Sequence, residues 1–410
     1  MKKKDLRQLT RVDEGSDEKQ AEEEPVVLLN DLPSPISLQT MHLALGGARI
    51  HLPTTMKFAS LIDVSLERVE IVDPGADRLL AHLVSSASCP RLQKLRMTEI
   101  MFPGEMEGAM RLEANEILEL WVDNIQVSTL ELRTPRLRSF HIDKCGYKEL
   151  RVSAPRLEEF SFFRKSWTPT TLEVNDEMSW VRSLKISLWS HKYDCVSVGH
   201  NDETLTLDDG GDDDDSDDDG YDIKLFKRNM NINMLLLKQC SSVTCLDVTL
   251  ESRHIIKSRL PHVRGITSLT VNVSPRTIVQ HDYGASVASL LMQFGHLKSL
   301  SLRLHFLGKK LRSAKTECNH QDYWTSHEIS MTHLLELEFT GLTGTDCELW
   351  FMKVVLASAK RLCKVAISFH TKCWQYQDKM DAFERMLLEE GMWTSHRDTF
   401  MLNSCKTHRM

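Results

Sequence analysis

A short phrase of apolar residues, with the spacing apolar-x-x-apolar-x-apolar, recurs from Leu92 to Ile367. Its copies are centred on Leu95, Leu120, Leu130, Phe140, Leu150, Phe160, Leu184, Leu246, Leu269, Leu300, Leu337 and Val365. The last two apolar positions of each copy are two residues apart, which is the period of a β-strand with one buried face. One such strand cannot bury that face alone, but stacked copies can. The phrase therefore predicts a repeat array in which every copy contributes a strand.

Two spacings separate two kinds of repeat. From Leu120 to Phe160 the centres of successive phrases lie 10 residues apart, which is too short for a strand, a helix and two turns. This spacing predicts a flat coil of 20 residues whose two strands belong to opposite sides of the array. Pro135 and Pro155 would each mark entry into a strand on the same side, because proline cannot occupy the middle of a strand ladder. The spacing leaves open which set of strands is concave.

Longer repeats carry helices. Apolar residues have helical spacing between Ala76 and Val84 and between Val287 and Phe294, in each case ahead of a strand phrase. The stretch TDCE from Thr345 to Glu348 has the capping-box pattern of a helix start, and a last amphipathic helix is expected between Met380 and Leu387. The predicted fold class is α/β: a leucine-rich-repeat solenoid, or horseshoe, with a parallel β-sheet and with helices or second strands on its convex side.

An acidic segment interrupts the repeats. Nine aspartates lie between Asp208 and Asp219, and their mutual repulsion predicts a disordered insertion at residues 192–222. Ser216 is followed by three aspartates, which suits phosphorylation by an acid-directed kinase; the alternative is a solvated spacer. The other predicted domains are a disordered charged tail at 1–27, a first solenoid part at 28–191, a second solenoid part at 223–375, and a C-terminal helix and tail at 376–410.

Charge and cysteine usage limit the function classes. The net charge of −7 becomes about +2 when the nine aspartates are removed, so no basic excess argues for nucleic-acid binding. No apolar run approaches the roughly 20 residues that span a bilayer, and no apolar segment follows the first lysines as in a secretory signal. The ten cysteines are irregularly spaced, which favours buried thiols in a reducing compartment. We therefore expect a cytoplasmic or nuclear protein without nucleic-acid or membrane partners.

Motifs for catalysis are missing from the sequence. It has no Gly-rich phosphate loop, no HExxH and no GxSxG stretch, so we expect no enzyme activity and no cofactor. Cys318, Asn319, His320 and His327 are close in sequence, but their spacing fits no standard zinc pattern. A polar loop is the preferred interpretation there, and no metal site is predicted.

The residue between the last two apolar positions of a phrase is expected to project into solvent. Two sets of such residues would lie on opposite faces: Arg96, Trp121, His141, Ser161 and Lys185 in one set, and Glu131 and Arg151 in the other. The predicted protein-binding residues are Arg96, Trp121, Glu131, His141, Arg151 and Lys185. Trp121 is the most suggestive of them, because tryptophan is enriched among interface anchors. The alternative is that Trp121 packs against a neighbouring coil.

Three segments together resemble one protein family. They are NEILELWVDNIQVSTLELRTPRLRSFHIDKCGYKELRVSAPRLEEFSF, SCPRLQKLRM and LTGTDCELWFMKVVLASAKRLCKVAISF. They are similar to the leucine-rich part of plant F-box/LRR proteins, the last one to the FBD-type end of that family, and the likeness covers most of residues 38–370. Leu32-Pro33 matches the Leu-Pro that opens an F-box. Too few residues follow it for the helices of an F-box, so the F-box itself is expected to be missing.

The resemblance implies a role in protein degradation. In this family an N-terminal F-box docks on a Skp-type adaptor of an SCF-type E3 ubiquitin ligase, the repeats hold the target protein, and the protein itself performs no chemistry. The expected function is therefore protein binding by a relative of these substrate-recognition subunits. The alternative is an interaction scaffold that lacks an F-box and recruits no ligase.

Overall fold

The structure, a computed structural model, describes residues 26–28, 37–51, 57–73, 75–102, 108–163, 171–174, 178–188, 233–250, 260, 264–273, 283–305, 329–342, 346–370, 381, 385 and 399–402. Within these residues, 19 strands form one sheet of 15 strands and one of four. All the strand pairs are parallel. The described part is therefore a mixed α/β structure dominated by a large, open parallel sheet.

The strands follow one another at short intervals along the chain. They are β1 (Val26–Leu28), β2 (Thr40–Ala44), β3 (Arg49–His51), β4 (Asp63–Ile71), β5 (Lys94–Met101), β6 (Ala109–Glu113), β7 (Glu119–Asp123), β8 (Thr129–Arg133), β9 (Ser139–Asp143), β10 (Glu149–Ser153), β11 (Glu159–Phe163), β12 (Thr171–Val174), β13 (Ser183–Leu188), β14 (Cys245–Leu250), β15 (Ser268–Val273), β16 (Ser299–Leu304), β17 (Glu336–Leu342), β18 (Lys364–Phe369) and β19 (Thr399–Leu402). The long sheet has the order β1-β3-β4-β5-β7-β9-β11-β13-β14-β15-β16-β17-β18-β19, with β2 beside β4, and the short sheet has the order β12-β10-β8-β6.

Each of the twelve predicted phrases forms a strand, as expected from its alternation of apolar and polar residues. Seven strands were not predicted: β1, β2, β3, β4, β6, β12 and β19. The same phrase is nevertheless present at β4: Leu61 precedes the strand, and Val64 and Leu66 lie in it. The predicted boundary between tail and solenoid, at residue 27, falls inside β1.

The flat coil of 20 residues is confirmed. The chain alternates between the sheets, so that β7, β9, β11 and β13 join the long sheet while β6, β8, β10 and β12 form the short one. Glu119 pairs with Ser139 and Ser139 with Glu159, each 20 residues further on. Pro135 and Pro155 precede β9 and β11, which belong to the same sheet as predicted.

The apolar residues of both sheets form one buried cluster. Phe140 and Phe160 lie in it as neighbours in register, with ring centroids 5.3 Å apart and planes 8° from parallel. Both side chains are at most 1% exposed. Close packing of such ladders leaves each strand little freedom to shift, and it therefore fixes the position of the residues that alternate with them on the outer face.

Four helices are described: α1 (Ala76–Leu83), α2 (residues 233–239), α3 (Tyr283–Leu291) and α4 (Asp346–Ser358). Helices α1, α3 and α4 were predicted, whereas α2 was not. Asp381 and Arg385 are helical within the last predicted helix, and the Arg385 side chain donates a hydrogen bond to the Asp381 carbonyl. No helix among the described residues is both long and apolar enough to cross a membrane.

Several predictions concern residues that the structure does not describe. They are the tail before Val26, the insertion at 192–222 with Ser216, and the polar stretch from Cys318 to His327. The rest of the topology is compatible with a solenoid, because each strand of the long sheet from β3 to β19 neighbours the next strand of that sheet along the chain.

Gly341 is a position where the backbone requires glycine. Its φ of 81° lies in the left-handed region, and an added Cβ would overlap with the carbonyl oxygen of Leu304 on the neighbouring strand β16. We expect Gly341→Ala to lower the free energy of unfolding by about 2 kcal/mol or more, measured by urea denaturation. Gly295→Ala is the control, because nothing lies within 4 Å of its added Cβ. Equal stability of the two variants would contradict the left-handed backbone and the close Leu304 contact at Gly341.

Candidate functional site

The predicted residues of the first set lie side by side across the long sheet. In register they run Arg96, Trp121, His141, Ser161 and Lys185, one on each of β5, β7, β9, β11 and β13. We call these five residues the central row. Neighbouring strands are about 4.8 Å apart, so the row is about 19 Å long. Each member alternates with buried apolar residues on its strand, as Trp121 does with Leu120 and Val122.

Three members of the central row are in direct contact. The guanidinium carbon of Arg96 lies 4.8 Å from the centroid of the Trp121 ring, which is a cation–π distance. On the other side, the rings of Trp121 and His141 stack with centroids 3.5 Å apart and planes 18° from parallel. Phe163 follows His141 in a tilted contact at 5.9 Å. Trp121 therefore packs against both neighbouring strands and still keeps 37% of its surface exposed.

The imidazole of His141 is neutral in this setting. Its pKa is lowered from 6.5 to about 4, mainly by burial; Asp143 opposes this shift, and the positive charges of Lys185, Arg96 and Lys144 contribute to it. A neutral ring stacks on Trp121 without adding charge to a row that already contains two cations. The row therefore offers an aromatic surface with one cation at each end, Arg96 and Lys185.

A second row, of acidic residues, borders the central row toward the strand ends. Asp123 and Asp143 are in register with each other, each two residues after a member of the central row. The Nζ atom of Lys144 lies 3.1 Å from the Asp143 carboxylate and 3.8 Å from that of Asp123. Burial raises the pKa of Asp123, although Lys144 opposes the shift. A partner that approaches the aromatic surface therefore meets carboxylates on this side.

The register continues into residues that were not selected from the sequence. Lys185 pairs with Asp247, and the row goes on through Thr270, Ser301 and Glu338. The Asn272 amide donates a hydrogen bond to Asp247, whose pKa is raised by burial. Ser301 donates a hydrogen bond of 2.6 Å to Glu338. The same position of the later phrases would have identified these residues, but Asp247, Ser301 and Glu338 already have hydrogen-bond partners within the sheet.

The second predicted set lies on the short sheet and is engaged in ion pairs. Glu131 is only 8% exposed, so the expectation that it projects into solvent is wrong. Its two oxygens accept hydrogen bonds of 2.8 Å from Nε of Arg111 and Nε of Arg133. Burial disfavours its charge, yet these bonds outweigh burial and hold the pKa of Glu131 below its usual value. Arg151 pairs with Glu149 at 2.8 Å and with Glu173 at 3.1 Å.

Ser161 requires a similar correction. It occupies the central row as predicted, but it is only 9% exposed. Its hydroxyl is small, and the larger side chains of His141 and Lys185 stand on the strands to either side. The accessible part of the row therefore consists of Arg96, Trp121, His141 and Lys185.

A cleft of about 600 Å³ lies near the ends of β4, β5 and β7. Its lining includes the charged Arg68, Asp77 and Glu99 and the apolar Met101 and Phe102. One carboxylate oxygen of Asp77 is buried there without a hydrogen-bond partner. Charges of both signs beside apolar groups select no single class of ligand, so this cleft ranks behind the central row as a functional site.

No family model matches this chain, and no curated protein matches it. Within the described residues, no group of three or more His, Cys, Asp or Glu side chains is placed to hold a metal ion. The central row is an aromatic and cationic strip on a rigid sheet, which is suited to contact with another macromolecule.

The low pKa of His141 makes the stability of the chain depend on pH. Between about pH 4 and 6.5 the unfolded chain binds a proton at this residue that the folded chain does not. We expect the free energy of unfolding of the wild type to fall relative to that of His141→Phe as the pH drops through this range, and the difference to be constant above it. Phenylalanine keeps an aromatic ring beside Trp121. Urea denaturation at several pH values measures the effect, and a difference that does not vary with pH would contradict it.

Proposed function

We propose that this chain is a leucine-rich-repeat solenoid that binds a partner protein along its central row. The segment from Leu137 to Tyr147 supports the repeat assignment, because it follows the pattern L-x-x-L-x-L-x-x-N/C-x-L with other apolar residues at several leucine positions. Cys145 occupies the N/C position and is buried, and its thiol donates to the carbonyl oxygen of Asp143 at 3.2 Å. Burial raises the pKa of this thiol to about 12, so it stays protonated as a donor.

The contact chain Arg96–Trp121–His141 is the observation that carries the binding proposal. Tryptophan and arginine are enriched among the few residues that supply most of the energy of protein interfaces. Here both are held against neighbours before any partner arrives, since Trp121 is stacked between Arg96 and His141. Binding therefore costs little side-chain entropy, and the 37% exposure of Trp121 leaves an apolar surface for the partner to cover.

The proposed biological role is that of a relative of the substrate-recognition subunits of SCF-type E3 ubiquitin ligases, acting in the cytoplasm or nucleus. This part rests on the resemblance of the repeat segments to plant F-box/LRR proteins. In this role the chain holds a target protein and carries out no reaction itself. The same binding face would serve a scaffold that recruits no ligase, so recruitment has to be tested separately from target binding.

Trp121→Ala tests the binding face. We expect the variant to lose its partner proteins, with affinity about 30-fold weaker because removal of an interface anchor costs about 2 kcal/mol or more. Affinity purification from cell extract with quantitative mass spectrometry identifies the partners, and titration of a partner then measures the affinity. Met292→Ala is the matched control, because Met292 is also 37% exposed but lies just after α3. Unchanged binding by a folded Trp121→Ala variant would refute the proposal.

Ligase recruitment is tested with a purified Skp-type adaptor. Calorimetric titration at micromolar concentration of both proteins should show binding if the chain recruits a ligase directly. Binding by the wild type and by Trp121→Ala alike would separate adaptor docking from target recognition. Absence of binding would favour the interaction scaffold and would leave the proposal for the central row intact.

A further inference from the structure

All strands of the long sheet begin at the same edge, because all are parallel. The residues just before the strands are joined there by a continuous row of backbone hydrogen bonds. Arg182 accepts from the amide of Thr244, the amide of Lys298 donates to Thr267, and the amide of Leu335 donates to Lys298. The side chains that precede successive strands are therefore held about 4.8 Å apart along this edge.

Three cations on the first half of the edge are paired with acids. Lys94 lies 2.9 Å from Glu119, and Arg138 lies 3.8 Å from Glu158. Arg136 is likewise paired with Glu116. Arg91 and Arg156 of this half have no ion pair with a described residue, but its four glutamates leave the edge from β5 to β11 with an excess of only one cation.

The second half of the edge, from β13 to β18, differs. Its exposed cations are Arg182, Arg264, Lys298, Lys360, Arg361 and Lys364. We call these six residues the basic edge. None of them has an ion pair with another described residue, and the one acidic residue among the described residues at that edge is Glu336, the first residue of β17 and the register partner of Lys364. Six cations at the starts of four strands, five of them in the preceding turns and Lys364 as the first residue of β18, thus face solvent with one acidic residue among them.

Apolar side chains are exposed between these cations. Trp180 is 58% exposed in the turn before β13, and Leu335 is 38% exposed in the same hydrogen-bonded row as Lys298. Large exposed apolar groups next to unpaired cations distinguish this edge from an ordinary solvated surface. They also indicate a ligand that carries apolar groups as well as negative charge.

We propose that the basic edge binds an acidic segment of a partner protein in which apolar residues alternate with carboxylates. The five steps from β13 to β18 span about 24 Å, which an extended peptide covers with about seven residues. A polypeptide of this kind meets both the cations and the exposed Trp180 and Leu335. A nucleic acid has no aliphatic side chain to place against Leu335, which is 38% exposed.

Fluorescence anisotropy with a short labelled peptide of glutamates interrupted by leucines tests the proposal on the full-length chain. We expect binding that weakens as salt is raised, because the charges are exposed to solvent. The variant R182Q/K298Q/R361Q should bind the peptide about tenfold more weakly, since each exposed charge pair strengthens binding by about two- to fivefold. Equal binding of this variant and the wild type would overturn the assignment.

The other half of the same edge supplies the control. The variant K94Q/R136Q/R138Q also loses three positive charges, but from residues that already have acidic partners. We expect it to change the peptide affinity by about twofold or less, within the range of surface ion pairs. A loss equal to that of R182Q/K298Q/R361Q would show that only the net charge matters and would overturn the assignment. Trp121→Ala should bind the peptide like the wild type, so this proposal and the proposal for the central row can fail separately.

Two further measurements test other occupants of the basic edge. The first uses the chain with all aspartates between Asp208 and Asp219 replaced by asparagine. Unchanged affinity for the peptide supports a partner segment, whereas a tenfold gain would show that this acidic run occupies the edge and would overturn the assignment. The second uses a labelled single-stranded oligonucleotide in place of the peptide. Tighter binding of the oligonucleotide, lost in R182Q/K298Q/R361Q, would overturn it in favour of nucleic acid.

Discussion

Strand register is the constraint on which every surface of this protein depends. Side chains alternate between the two faces of a strand, so a slip of one residue would turn Leu120 outward and Trp121 into the core. The stacked rings of Phe140 and Phe160 oppose such a slip, because the core between the two sheets is closely packed. The buried ladder therefore determines which side chains meet on the outer face. Repetition of the buried apolar residues thus fixes the positions of the outer-face residues, whose identities can differ from one repeat to the next.

The differences between repeats are where the chemistry lies. At one repeat position the chain places Arg96, Trp121 and His141 in contact, and at the same position further along it places Ser301 and Glu338 in a hydrogen bond. The first group leaves aromatic surface exposed, while the second satisfies its own polar atoms. On the short sheet the equivalent residues, Glu131 and Arg151, form ion pairs across strands. The same repeat architecture thus presents an exposed aromatic surface on the long sheet and a surface of ion-paired side chains on the short sheet.

Apart from β4, where a complete phrase was overlooked, the sequence predicted strands well where the apolar phrase was complete and less well elsewhere. Strand β6 has only Met110 and Leu112 as its alternating buried residues, too few to form the phrase. Because β6 was not predicted, Arg111 could not be placed beside Glu131, and the burial of Glu131 was missed. The left-handed backbone conformations could not be predicted from the sequence either. Four non-glycine residues have φ near 50°, and only one of them is an asparagine, the type that commonly adopts this conformation: Arg68, Glu99, Asn124 and Lys144. Pairing and strain depend on neighbours that are distant in sequence.

Net charge is a similarly incomplete guide. The whole chain carries −7, which argues against binding to polyanions, but parallel topology brings cations from the separate turns before β13, β15, β16 and β18 to one edge. A local potential depends on this placement and not on the sum. Arg182 and Lys185 belong to the same strand start and lie three residues apart, about 10 Å along the chain. The basic edge and the central row therefore meet at β13. An acidic segment of a partner that is bound along the row could reach the basic edge. Contacts at both surfaces by one partner would reinforce each other, since the second contact becomes intramolecular once the first has formed.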